Sequence, residues 1–65
     1  MELSESINKL ELYSSVTKEL KAKHILQVGQ LCKMKKRELS KLGLSPETIE
    51  QIEIKLQLQG LDLKR

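Results

Sequence analysis

The sequence predicts an all-α fold, namely a compact bundle of four short helices preceded by an irregular N-terminal turn. Apolar residues recur at helical spacing in short segments, and each segment ends at a turn signal within two or three turns. The core must be aliphatic, because the chain contains no Phe or Trp and Tyr13 is its only aromatic residue. A length of 65 residues corresponds to one small domain or part of one.

The N-terminal part of the chain carries the weakest helical signals. Residues 1–6 are expected to be weakly ordered, and the single domain is expected to span residues 7–63. The alternating segment Ile7–Leu12 predicts either a short extended stretch or one irregular turn across the core. Ser14 and Ser15 are N-cap candidates for a first helix that reaches about residue 23. Its expected inward residues are Val16 and Leu20.

Two shorter helices are predicted in the middle of the chain. Residues 27–33 form the first of them, in which Gly29 allows a close approach of another segment. Residues 35–41 form the next, and residues 42–44 make a tight connection to the last helix. The expected inward residues of these two helices are Val28, Leu31 and Leu39.

The last helix has the clearest boundaries. Ser45 is a strong N-cap, Pro46 suits the first helical position, and Glu47 complements the helix dipole. Gly60 is the expected C-terminal stop. The buried stripe is predicted to comprise Ile49, Ile52 and Leu56. Leu61 and Leu63 are expected to fold back over the core, and residues 64–65 are expected to form a tail.

The net charge of +3 is unevenly distributed along the chain. Residues 1–17 sum to −2, residues 18–41 to +6 and residues 42–65 to −1. The middle block therefore suits either a polyanion or an acidic protein surface. Alternatively, the basic run Lys33–Arg37 is a solvated corner whose lysine stems cover apolar surface.

No arrangement of residues indicates an enzyme, a cofactor, a metal or a small-molecule substrate. His24 is expected to end a helix, and Cys32 to be a small core or boundary residue. A lone cysteine forms no internal disulfide and favours a reducing, cytoplasmic setting. No apolar run approaches the roughly 20 residues of a membrane span, so no membrane partner is expected.

The ordered set of apolar positions resembles the C-terminal domain of the bacterial RNA polymerase alpha subunit. The resemblance covers about residues 7–63 and includes a Leu-Glu-Leu entry and a Gly-Leu-x-Leu exit. It implies four helices in two helix-hairpin-helix-like units, a role in transcription, duplex DNA as a ligand, and RNA polymerase or a transcription factor as partners. The residues that carry it are Leu10-Glu11-Leu12, Leu20-Lys21-Ala22, Ile25, Val28-Gly29-Gln30-Leu31, Glu38-Leu39, Leu44, Ile49, Ile52, Leu56 and Gly60-Leu61-Asp62-Leu63.

The DNA-gripping positions of that family are changed here. Its minor-groove Arg falls on Ser15, its Asn falls on Lys18, and its Gly-Lys-Lys-Ser stretch falls on residues 45–48. Pro46 removes an N–H group, and Glu47 places a negative charge where the DNA backbone should lie. We therefore expect weak or altered DNA binding, in the non-specific range of about 10⁻⁴–10⁻⁶ M. The candidate nucleic-acid-binding residues are Lys18, Lys21, Lys33, Lys35, Lys36, Arg37, Ser45 and Thr48.

Two aliphatic residues on the last helix lie outside its predicted buried stripe. Ile54 and Leu58 are four residues apart, at positions that are usually polar in the family that the chain resembles. They predict either a partner-binding patch or a helix that is buried over a wider arc under Leu61 or Leu63. The alternative function is therefore a protein-interaction domain that has lost DNA binding.

Overall fold

Short helices account for most of the chain. The computed structural model describes residues 2–64, and none of these residues forms a strand. The elements are a 3₁₀ turn at Ile7–Leu10, α1 at Ser14–Ala22, α2 at Val28–Cys32, α3 at Lys36–Lys41 and α4 at Pro46–Leu58. The predicted all-α bundle of four short helices is confirmed, and the irregular N-terminal turn is the 3₁₀ turn.

The core is built entirely from aliphatic side chains, as the composition requires. All four α-helices contribute, as do the 3₁₀ turn and the C-terminal segment after α4. All the residues predicted to face inward in the four helices are buried. Leu63 is also buried, and Leu61 is half-buried against the core, as predicted. The core comprises Ile7, Leu10, Val16, Leu20, Ile25, Val28, Leu31, Leu39, Leu44, Ile49, Ile52, Leu56 and Leu63.

The start of α1 differs from the prediction. Neither Ser14 nor Ser15 is the N-cap; both lie within the helix, and Tyr13 occupies the cap position without a side-chain cap bond. Tyr13 is held instead by α4, because its backbone N–H donates to Oε1 of Gln51 at 3.4 Å. The cap residue of this helix is thus bonded to a side chain 38 residues away in sequence, and no serine side chain caps the helix.

The C-termini of α1 and α4 end in the same backbone motif. In α4, Gly60 adopts a φ of 76°, and the Leu61 N–H donates to the Leu56 carbonyl at 2.9 Å. In α1, His24 takes the equivalent position with a φ of 63°, and the Ile25 N–H donates to the Leu20 carbonyl at 2.9 Å. This is the Schellman pattern, in which a left-handed residue usually is glycine.

We expect opposite stability effects from exchanging residue types at these two positions. Gly60→Ala should destabilise the fold by about 1 kcal/mol, because an L side chain is strained in the left-handed region. His24→Gly should stabilise it by up to about 1 kcal/mol for the converse reason. Urea unfolding of both variants measures the two free energies. A shift of the same sign in both would contradict the shared-motif interpretation.

The N-terminal segment lies against the start of α2. The Val28 N–H donates to the Glu5 carbonyl at 2.9 Å, and the Gly29 N–H donates to the Leu3 carbonyl at 2.7 Å. Two N–H groups that a helix start leaves without helical partners are thereby bonded to backbone oxygens. The weak order expected for residues 1–6 remains a prediction, which hydrogen exchange can test. Met1 of this segment lies outside the described residues.

The Gln30 side chain bonds to three backbone groups in the connection between α1 and α2. The Gln30 carbonyl oxygen Oε1 accepts from the backbone N–H groups of Leu26 and Gln27 at 2.8 and 2.9 Å. Its Nε2 donates to the His24 carbonyl at 3.1 Å. Together with the Ile7 N–H, which donates to the Leu26 carbonyl at 3.1 Å, Gln30 stabilises the connection that leads into α2.

Candidate nucleic-acid interface

The basic run Lys33–Arg37 is attached to the core by two apolar residues. Met34 is half-buried against the core and Leu39 is fully buried. Between and around them, Lys33, Lys35, Lys36 and Arg37 are all exposed. The Glu38 carboxylate accepts from the Lys35 N–H at 3.2 Å, so α3 starts immediately after Lys35. The cations are therefore held at the beginning of a helix whose buried side is fixed.

Lys64, which follows the last helix, lies beside this run. Its backbone N–H donates to the Met34 carbonyl at 3.0 Å, and Lys35 and Lys64 form an isolated parallel bridge. Lys35, Lys36, Arg37 and Lys64 line one shallow depression, together with Glu53 and Leu63. We call these four cations the basic face. Lys33 lies elsewhere, lining a different depression beside the N-terminal segment.

The basic face is only partly neutralised by acidic residues. Lys36 forms an ion pair with Glu53 at 3.0 Å, in which the Lys36 side chain is 59% exposed and that of Glu53 is 15% exposed. Pairs between two exposed side chains stabilise a fold by about 0–1 kcal/mol, and in this pair only the lysine is well exposed. Within residues 2–64, Lys35, Arg37 and Lys64 have no carboxylate within ion-pairing distance. Among the described residues, three of the four cations are therefore exposed without an ion-pair partner.

The start of α4 lies beside the basic face but is poorly suited to an anion. Lys36, Arg37, Pro46 and Glu50 line one groove between α3 and α4. Ser45 Oγ accepts from the Thr48 N–H at 3.2 Å and donates to Thr48 Oγ1 at 3.0 Å. The two hydroxyl groups predicted to contact DNA are thus bonded to each other. Proline offers no N–H, and exposed carboxylates on this turn repel phosphate.

The remaining predicted cations lie on α1. Lys18 and Lys21 are exposed, while Val16 and Leu20 of the same helix are buried. In the part of the chain that the structure describes, neither lysine has a hydrogen bond or ion pair that would join it to the basic face. They form a separate pair of charges one helical turn apart.

Ile54 and Leu58 are not covered by the C-terminal segment. The two residues are 47% and 72% exposed, whereas Ile52 and Leu56 of the same helix are fully buried. The interpretation that α4 is buried over a wider arc is therefore wrong for these two residues. The helix has one narrow buried stripe, and Leu61 and Leu63 pack elsewhere against the core. The predicted role of the pair in partner binding remains a prediction.

Cys32, the single cysteine of the chain, lies at the edge of the core. Burial raises the pKa of the Cys32 thiol, a backbone hydrogen bond from Asp62 opposes this, and the Asp62 carboxylate adds to it. The thiol is half-buried against the core, as predicted for a boundary residue. Among residues 2–64, no three His, Cys, Asp or Glu side chains are grouped so that they could bind a metal ion. No helix in this range is both long and apolar enough to cross a bilayer.

Comparison with known proteins does not place the chain in a family. No protein-family model matches the chain, and no curated protein matches it significantly. The fold and its surfaces define the class of molecule, which is a small all-helical protein with a basic face on α3 and exposed aliphatic residues on α4.

Proposed function

We propose that this protein is a non-enzymatic, transcription-linked module that binds duplex DNA weakly through phosphate contacts. The observation that carries the proposal is the Lys64–Met34 hydrogen bond of 3.0 Å, because it adds a fourth cation to those at the start of α3. The link to transcription comes from the resemblance to the polymerase alpha C-terminal domain. DNA is the polyanion that such a role requires.

Phosphate contacts suit the basic face better than base recognition does. Lysine ammonium groups act as point charges toward phosphate, and such contacts carry no sequence information. Base stacking would need an aromatic side chain, and the only one in the chain, Tyr13, lies next to Gln51 on α4. The module would therefore bind with little sequence preference and with an affinity in the range of about 10⁻⁴–10⁻⁶ M.

Salt dependence tests this proposal directly. Binding of a short fluorescent duplex should fall steeply between about 50 and about 200 mM salt, because each phosphate contact contributes about −0.9 to the slope of log K against log salt. Three cations that have no ion-pair partner among residues 2–64 predict a slope of about −3. Absence of binding at low salt, or binding that salt does not weaken, would remove DNA as the ligand.

Glu47→Lys should strengthen DNA binding several-fold. The substitution replaces a repulsive carboxylate with an ammonium on the first turn of α4, beside the groove that Lys36 and Arg37 line. The control is Glu2→Lys, which makes the same change in net charge at an exposed residue of the N-terminal segment. Equal gains in duplex affinity for the two variants would show that only total charge matters.

A second candidate function is a protein-interaction domain on the same scaffold. The exposure of Ile54 and Leu58, at 47% and 72%, favours it, since adjacent exposed aliphatic residues on one helix often belong to a binding surface. NMR signals of the two side chains should broaden when purified RNA polymerase is added. Signals that stay unchanged at saturating polymerase would count against this partner.

A further inference from the structure

Three residues with exposed hydrophobic side chains lie on α4 or have their backbone bonded to it. Tyr13, Ile54 and Leu58 are 70%, 47% and 72% exposed. Tyr13 is placed beside α4 by its hydrogen bond to Gln51 at 3.4 Å. On α4, Gln51 is one turn before Ile54, and Leu58 is one turn after it. We call these three side chains the apolar strip.

The apolar strip contributes little to the fold itself. The buried side of α4 is complete without it, because Ile49, Ile52 and Leu56 fill the core. Single exposed hydrophobic residues need no explanation, but adjacent ones indicate a contact surface. The strip also contains the only aromatic residue of the chain, and tyrosine is enriched at protein interfaces.

The charges around the apolar strip are mainly acidic. Glu47 and Glu50 are exposed on the N-terminal half of α4, and Glu11 is exposed two residues before Tyr13. Lys55, half-buried, is the cation on α4 near Leu58. On α4, the exposed carboxylates Glu47 and Glu50 therefore accompany one ammonium group near Ile54 and Leu58, and Lys36 and Arg37 lie across the groove that Glu50 lines. Charge complementarity favours a cationic partner.

A second copy of the chain fits this surface less well. A two-fold axis would bring the same patch together twice and double its excess negative charge. Three side chains also fall well short of the roughly 800 Å² per partner that specific, stable complexes bury. A small surface with apolar anchors and an acidic rim is instead suited to a short helical segment.

We propose that the apolar strip docks a basic amphipathic helix of another protein. Such a helix presents apolar residues spaced by three and four positions, with Lys or Arg on both flanks. Its apolar residues would pack on Ile54, Leu58 and the Tyr13 ring, and its cations would face Glu47 and Glu50. This inference rests on the second candidate function, for which it names the partner chemistry.

Tyr13 provides the readout for the test. A Leu- and Lys-containing amphipathic peptide without aromatic residues should change the Tyr13 fluorescence saturably. Leu58→Ser should weaken this binding roughly tenfold or more, because a buried Leu contact is lost. Ile54→Ser should act in the same direction. The matched control is Leu26→Ser, at a leucine that is 51% exposed in the connection before α2, and it should bind the peptide normally.

Each alternative outcome has a distinct meaning. Equal binding of a peptide with Glu in place of Lys would overturn the cationic partner while leaving the strip as a docking surface. No binding of either peptide would overturn the inference. Self-association that sedimentation detects and that Leu58→Ser abolishes would make a second copy the occupant. Duplex DNA titrations of Leu58→Ser should match those of the unmodified chain, so that failure here is separable from failure of DNA binding.

Discussion

Lys35→Glu combined with Arg37→Glu is expected to abolish measurable binding to duplex DNA. Both side chains are exposed and belong to the basic face, and neither has a carboxylate partner within residues 2–64. Removal of two phosphate contacts should reduce the salt slope by about 2 and lower the affinity roughly a hundredfold at ~50 mM salt. Fluorescence anisotropy with a short duplex measures both quantities.

The control for this variant is Lys18→Glu combined with Lys21→Glu. It lowers the net charge by the same four units, from +3 to −1, but it changes α1 rather than α3. We expect only a modest loss of affinity through the long-range field. An equal loss in the two double variants would mean that position does not matter, and the basic face would then have no special role.

Gly29→Val is expected to destabilise the fold by about 2 kcal/mol, through overpacking and loss of backbone partners at the α2 start. A Cβ atom at residue 29 would lie 2.9 Å from the Leu3 carbonyl oxygen and 3.0 Å from Leu3 Cβ. The N-terminal segment would have to move, breaking its hydrogen bonds to Val28 and Gly29. Without this contact, replacing a helical glycine should be neutral or favourable.

A truncation provides the control for this second prediction. Removal of residues 1–5 takes away the segment that a side chain at residue 29 would displace. In the truncated chain, Gly29→Val should therefore lower the free energy of unfolding only slightly, because the two changes act on the same contact. If Gly29→Val is neutral in the full chain by urea unfolding, the segment is weakly ordered and its bonds to α2 do not stabilise the fold.

The helices were predictable wherever their determinants are local. Ser45 and Pro46 define the start of α4 within two positions, and Ser45 Oγ does cap the helix. The αL residues His24 and Gly60 lie where the stops of α1 and α4 were expected. The start of α1 was not predictable in this way, because the contact between Tyr13 and Gln51 is long-range.

The candidate surfaces were only partly predictable, for the same reason. The run Lys33–Arg37 is visible in the sequence, but its division between two depressions depends on how the chain turns after α2. Lys64 was expected in a tail, since nothing local indicates a pairing with Met34. Ile54 and Leu58 were identified by spacing, whereas their exposure depends on where Leu61 and Leu63 pack. Tyr13 was missed as a surface residue, although its being the lone aromatic was the available signal.

The most direct test of the central claim is a chemical-shift map of the chain with a short DNA duplex at low salt. We expect salt-sensitive shifts at Lys35, Lys36, Arg37 and Lys64, and unchanged signals at Ile54 and Leu58. Shifts confined to the apolar strip, or no shifts at millimolar duplex, would contradict the claim that the basic face binds DNA.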